Sequence, residues 1–175
     1  VTREMFVPQK EAEQVWNAFD GKVATHVDLA ALARAGVGVQ FAEPVKVTYA
    51  RLYPRPDWAA RLQKGRIEGS ADGKKWTTLF DMRKWMEFEE RKWVMLAFEN
   101  PAEYSFYRMV GVEDGGVAEI EWYDAAVPEK TADMVPLAPT PYLDSKLVDI
   151  SKNAITLLPP PYRGMVSTAR RDPAV

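Results

Sequence analysis

The sequence predicts an all-β protein, an antiparallel β-sandwich, and three observations predict it. Apolar residues alternate with a period of two in short runs. Gly, Pro or Asp interrupts those runs at spacings of about ten residues, the punctuation of a sandwich. No long amphipathic helix lies between the runs, which argues against alternating β and α units.

Along the chain, the first elements are the least β-like. A short helix is expected from Pro8 to about Trp16, with proline in its first turn, and a second over the alanine-rich stretch Asp28 to Ala35, closed by Gly36. From Gly36 the period changes. Val37, Val39 and Phe41 alternate, Val45, Val47 and Tyr49 continue, and the two runs read as one hairpin or strand pair. Ile67, Trp76 with Leu79, Trp93 to Phe98, Tyr104 to Tyr107 and Ala118 to Tyr123 supply further short strands. In the last of these, Ala118, Ile120 and Trp122 form the inward face while Glu119 and Glu121 point away toward solvent. Trp16, Trp76, Trp93 and Trp122 have the pattern of core residues.

Near Asp124 the texture changes, with prolines at 128, 136, 139, 141, 159, 160, 161 and 173. The sandwich is therefore assigned to residues 1–124. Residues 125–175 are assigned to an irregular proline-rich C-terminal segment: an extension, a linker or the start of a following module. Leu143 to Leu158 is expected to add one or two strands, either strapping back over the sandwich or opening that next module.

Composition sets outer bounds. A chain of 175 residues with 47% apolar and 27% charged residues buries one core and folds. Its 23 basic and 25 acidic residues leave no net field to draw nucleic acid or an anionic membrane surface, so no nucleic-acid partner is expected. The absence of cysteine removes disulfides and thiolate metal sites and is compatible with either side of a membrane. No run approaches the roughly 18 apolar residues of a spanning helix, so no membrane insertion is expected. The first residue is Val1 rather than methionine, which reads as a processed protein or an excised piece.

Five ordered motifs carry the most information: Asn17-Ala-Phe-Asp-Gly-Lys-Val-Ala-Thr25, Tyr53-Pro-Arg-Pro-Asp57 with Arg61, Glu68-Gly-Ser-Ala-Asp-Gly-Lys-Lys-Trp76, Phe106-Tyr-Arg108 and Ala118-Glu-Ile-Glu-Trp-Tyr123. Within the third, Asp72-Gly73 is a preferred hairpin turn. In order and spacing, from about residue 11 to 124, they resemble the discoidin or coagulation factor 5/8 type C family. The resemblance implies a galactose-binding-like jelly-roll β-sandwich of eight strands with binding loops at one end. The chain looks like the carbohydrate-binding modules attached to bacterial glycoside hydrolases, which implies a secreted, periplasmic or cell-surface location.

Many such modules carry a structural calcium, and the resemblance places its ligands here on Asp20, Thr25 and Glu119, with Asn17, Lys22 and Ala118 giving carbonyls. Hard oxygen donors of that kind suit the six to eight contacts of calcium. The plain alternative is an ordinary turn at Asp20-Gly21 and a solvated Glu119. For sugar, the leading ring is Trp58, after a loop too rich in proline to be a strand interior, with burial of that tryptophan as the alternative. Arg55 and Arg61 fit sugar binding or loop bracing, with a salt bridge to Asp57 sufficient for the second role. His26 fits loop packing or ligand contact, and Trp85, within the charged segment Arg83 to Lys92, is placed to wall a cleft.

No nucleophile elbow, phosphate loop or paired-histidine zinc motif occurs. Carboxylate pairs such as Glu119 with Glu121 or Glu89 with Glu90 allow glycosidase chemistry in principle, but read first as surface charge. The expected function is a non-catalytic module that binds a glycan or glycoconjugate as part of a larger secreted glycan-processing protein. An adhesion, protein-interaction or spacer module on the same fold is the alternative.

Overall fold

The computed structural model describes residues 14–29, 36–84, 88–112, 115–127, 147–148, 153–157 and 165–170. In chain order its strands are β1 (Val27–Asp28), β2 (Val37–Lys46), β3 (Tyr49–Pro54), β4 (Arg66–Ser70), β5 (Thr77–Asp81), β6 (Val94–Ala97), β7 (Glu103–Val110), β8 (Gly116–Tyr123), β9 (Asn153–Leu157) and β10 (Met165–Arg170). They form two sheets, one in the order β1-β8-β3-β6 and the other in the order β5-β4-β7-β2-β10-β9. All pairings are antiparallel except β10 with β2, which is parallel. The predicted all-β sandwich is thus present, with one parallel pair. Among the described residues no helix is long and apolar enough to cross a membrane.

Between the sheets lies a core that includes Val39, Phe41, Leu52, Ile67, Met109, Ile120 and Trp122. Tyr107 sits at its centre, 5.8 Å from the Phe41 ring and 5.7 Å from Trp122. Its hydroxyl donates to the Val45 carbonyl at 2.6 Å and accepts from the Val47 amide at 3.1 Å. Burial pushes this phenol up to about 12.

Several local expectations are corrected. Residues 37–49 do not form a hairpin: β2 runs through both predicted halves beside β7, and β3 begins in the opposite sheet. The β2–β7 register shifts between Gln40 and Val45, around Pro44, whose missing N–H cannot join a ladder. Asp28 belongs to β1, not to a helix, while residues 30–35 lie outside the described ones. Residues 14–16 are helical, and the rest of the predicted first helix also lies outside them. The turn at Asp72 joins β4 to β5 through a loop over 71–76, where the Asp72 carboxylate accepts from the Lys74 and Lys75 amides at 2.8 Å each. Those two hydrogen bonds lower its pKa. Trp122 is fully buried, whereas Trp16, Trp76 and Trp93 are half-buried.

The largest departure concerns the outer face of the four-stranded sheet. Glu119 and Glu121 were expected in solvent, yet they are 1% and 8% exposed, and Tyr49, Tyr123 and Arg51 beside them are buried as well. Tyr49 and Tyr123 stack at 4.7 Å, and Arg51 pairs with Glu121 at 3.3 Å. From the proline-rich segment, β9 and β10 join the six-stranded sheet alongside β2, and the Leu147 amide donates to the Trp122 carbonyl at 2.8 Å.

Candidate functional site

Two groups of loop residues carry concentrated polar chemistry. The first is the turn at 17–26, which the folding of β8 locks from outside. The Glu119 carboxylate accepts from the Gly21 amide at 2.5 Å and the Lys22 amide at 3.0 Å, across nearly a hundred residues of sequence. Gly21 has φ +76°, a conformation glycine adopts without strain, and this presents both amides to one oxygen. Asp20 accepts from the Thr25 hydroxyl at 2.9 Å and the Lys22 amide at 2.8 Å, and the Thr25 hydroxyl lies 2.8 Å from the Lys22 carbonyl. Asn17 donates its side-chain amide to the His26 carbonyl at 3.0 Å, and Ile120 donates its backbone amide to the Ala18 carbonyl at 2.8 Å. Ala118 is buried on β8 next to Glu119. Asp20, Lys22, Thr25 and Glu119 therefore share one network, Asn17 braces the end of the same turn at His26, and Ala118 adjoins Glu119.

As a donor set these residues are all hard oxygens: two carboxylates, a hydroxyl and main-chain carbonyls. That composition fits calcium and not a nitrogen-seeking or sulfur-seeking metal. Among the described residues no cluster of three or more His, Cys, Asp or Glu side chains exists, so carbonyls and the hydroxyl would complete any such shell.

The second group is built on residues 55–61. The Trp58 amide donates to the Arg55 carbonyl and the Arg61 amide to the Trp58 carbonyl, each at 3.1 Å, so three side chains recur at intervals of one tight turn. Ala59–Lys64 is a 3₁₀ helix, in which residues three apart eclipse. Both guanidinium groups lie over the half-buried Trp58 ring, Arg61 from within the helix at 3.8 Å and Arg55 from the turn before it at 4.1 Å from the centroid. Arg55 also faces Asp28 at 3.9 Å, where pairing with Asp57 had been one expectation. Gly116 permits this approach, since a Cβ there would lie 2.8 Å from the Arg55 side chain and 2.9 Å from the Val27 carbonyl.

Asp57 takes φ +67°, which a non-glycine residue holds only when its surroundings impose it. Here the clamp is Glu90, whose carboxylate accepts from the Asp57 amide at 2.7 Å and the Ala59 amide at 2.8 Å. The sequence offered no signal for this role, because the contact spans more than thirty residues and Glu90 stands in a run of ordinary surface charge. Trp85, the remaining predicted ligand residue, lies outside the described residues.

His26 joins the two groups, because it leaves the first loop and faces Arg55 and Asp28 of the second. Partial burial lowers its pKa below 6.5, the Arg55 charge lowers it further, and Asp28 opposes both. The folded chain thus favours neutral imidazole more than the unfolded chain does, so this contribution is present above pH 6.5 and lost as pH falls below it. Titration of the His26 ring by NMR is expected to give a midpoint below 6.5 that rises in Arg55→Ala and falls in Asp28→Asn. A wild-type midpoint above 6.5 refutes this placement.

A β-sandwich whose chemistry is gathered on loops, with a carboxylate-locked turn and an arginine-flanked tryptophan, defines a loop-presenting module. The chain belongs to the F5/8 type C domain family, whose model matches residues 9–122. Among solved structures it is similar to a CBM62 of Xyl5A from Clostridium thermocellum, with 20% identity and a TM-score of 0.52, covering 62% of this chain and 81% of that one. It is also similar to CBM32-1 of a family 31 glycoside hydrolase from Clostridium perfringens, with 12% identity and a TM-score of 0.49, covering 65% and 86%. An F5/8 type C domain from Bacteroides fragilis matches at 18% identity and a TM-score of 0.47, covering 65% and 82%. No curated protein matches the chain.

Proposed function

We propose that the chain is a carbohydrate-binding module of a secreted glycan-processing protein, and that it binds its ligand through Arg55, Arg61, Trp58 and His26. The observation that carries this reading is the arginine-flanked tryptophan at a loop end of the sandwich. Planar guanidinium groups present several donors in fixed directions, which suits the vicinal hydroxyls of a sugar. Because both guanidinium groups lie over the Trp58 ring, the arginines are read as the hydrogen-bonding groups and the ring as the apolar surface that orients them. Glu90 supports this arrangement from the neighbouring loop.

A calcium ion held by Asp20, Thr25 and Glu119, with carbonyls from Asn17, Lys22 and Ala118, is proposed as structural. Its positive charge would offset two carboxylates brought to one loop.

Isothermal titration against plant, host and bacterial oligosaccharides tests the function. Binding in the millimolar to micromolar range is expected, weakened at least tenfold in the Arg55→Ala, Arg61→Ala double variant, which corresponds to about 1.4 kcal/mol or more. Trp58→Ala is expected to weaken it as well. Uniformly absent binding, or binding indifferent to all three residues, overturns the reading in favour of a protein-interaction module.

A further inference from the structure

A second concave surface is lined by none of these loop residues. Strand β5 is the edge of the six-stranded sheet and β6 an edge of the four-stranded one. Along β5 runs an open groove of about 350 Å³ lined by Thr78, Leu79, Phe80 and Asp81 of that strand, by Lys84 and by Glu99, which follows β6. Its floor is apolar, since Leu79 and Phe80 pack partly against the core. Its rim is polar, and once the Arg83 that pairs with Asp81 is counted its charges balance. Asp81 is fixed by Arg83 through contacts of 2.8 Å to each carboxylate oxygen, while Lys84 and Glu99 are exposed.

The edge invites comparison with strand addition, in which a peptide pairs with unpaired backbone groups. The ladder here opposes that use. Ile67 faces Phe80 and Glu68 faces Thr78, so Leu79 is an extra residue bulged out of register in the middle of β5. A bulge of this kind breaks the regular spacing an added strand needs and is a common device for blunting edges. An apolar floor edged by acceptors, a hydroxyl and an ammonium instead matches a sugar ring, whose C–H face is apolar and whose rim is hydroxyl. The volume lies at the lower end of ligand sites, and the charge balance favours an uncharged ligand.

We propose that this groove is a second carbohydrate subsite that takes one or two neutral pyranose rings, using Thr78, Asp81, Lys84 and Glu99 for hydroxyl contacts and Phe80 as the floor. It rests on the carbohydrate reading of the module but not on the loop residues. Met82–Lys84, which carries the lining residue Lys84, packs against the 3₁₀ helix Ala59–Lys64.

The test is a chemical-shift titration of the ¹⁵N-labelled chain with cellotetraose, xylotetraose and β-1,4-galactotetraose, and with an acetylated valine-threonine hexapeptide. Saturable shifts at residues 78–81, 84 and 99 are expected with at least one sugar. They are expected to persist in the Arg55→Ala, Arg61→Ala double variant. The Lys84→Ala, Glu99→Ala double variant, which preserves net charge and alters only exposed side chains, is expected to weaken them at least fivefold without moving its unfolding midpoint. Shifts confined to the 26 and 55–61 loops overturn the subsite and leave the loop reading intact, while shifts confined to the groove do the reverse. Silence at residues 78–84 with all three sugars overturns it, as does a response there to the peptide alone.

Discussion

Replacing Arg51 by methionine is expected to lower the unfolding free energy by about 3–5 kcal/mol, a large share of what a domain this size possesses. Arg51 on β3 faces Glu121 on β8 in register, the charges are 3.3 Å apart, and the two side chains are only 7% and 11% exposed. The guanidinium also lies 4.5 Å over the Trp93 ring, and Tyr123 donates its hydroxyl at 2.7 Å to the same Glu121 oxygen that faces Arg51. Burial and the Glu121 charge push the Tyr123 phenol strongly upward, which favours its protonated, donating form. Removing the arginine strands a carboxylate in a low-dielectric layer, and that desolvation sets the size of the loss. Truncating both partners is a different matter, because an apolar pair of similar volume leaves no buried charge and only the Tyr123 hydroxyl without its acceptor. The Arg51→Met, Glu121→Leu double variant is therefore expected to recover most of the stability. Urea denaturation of the two single variants and the double variant closes the cycle. A single-variant loss below about 1 kcal/mol would place the pair in the solvent-screened class and defeat the argument.

The same strand shows what the sequence conveys and what it leaves out. Alternation along Ala118, Ile120 and Trp122 identified the core-facing side correctly, since a period of two is fixed by backbone geometry. It carried no information on whether the opposite side is covered, and so Glu119 and Glu121 were misread as solvated. Alternation likewise continued from Val37 to Tyr49 without marking the point where the chain leaves one sheet for the other; only Pro44 hinted at a break. The family motifs brought the residues of the 17–26 turn and Glu119 together because a clamp of this kind needs a specific acid at a specific strand position. The approach of Arg55 to Trp58 was not legible, because it depends on a turn through Asp57 at φ +67° that no local pattern marks. Glu90 and Asp28 were not legible, because their roles arise from tertiary approach and no local pattern encodes it.

Glu119→Ala is expected to be the other severe substitution, and its effect divides into two measurable parts. The first is the turn clamp. The carboxylate is 1% exposed and accepts from two backbone amides at 2.5 and 3.0 Å; its loss leaves the Gly21 amide without a charged acceptor, at about 1.5–3 kcal/mol for such a bond, while the Lys22 amide keeps Asp20. The second is the proposed calcium. An ion that binds only the folded chain adds about 2.7 kcal/mol at one hundred times its dissociation constant. For a chain of 175 residues that raises the unfolding midpoint by roughly 5–11 °C. Thermal unfolding in excess calcium and in chelator separates the parts. The wild-type chain is expected to show the full difference. Asp20→Ala is expected to lose most of it with a smaller change in chelator, because Asp20 anchors Thr25 and Lys22 within its own loop and does not bridge to β8. Glu119→Ala is expected to lose the calcium response and to be destabilised in chelator too. A wild-type midpoint identical in calcium and chelator, alongside a destabilised Glu119→Ala, would show that the carboxylate holds the loop by hydrogen bonds alone, and the calcium proposal would fall while the clamp stood.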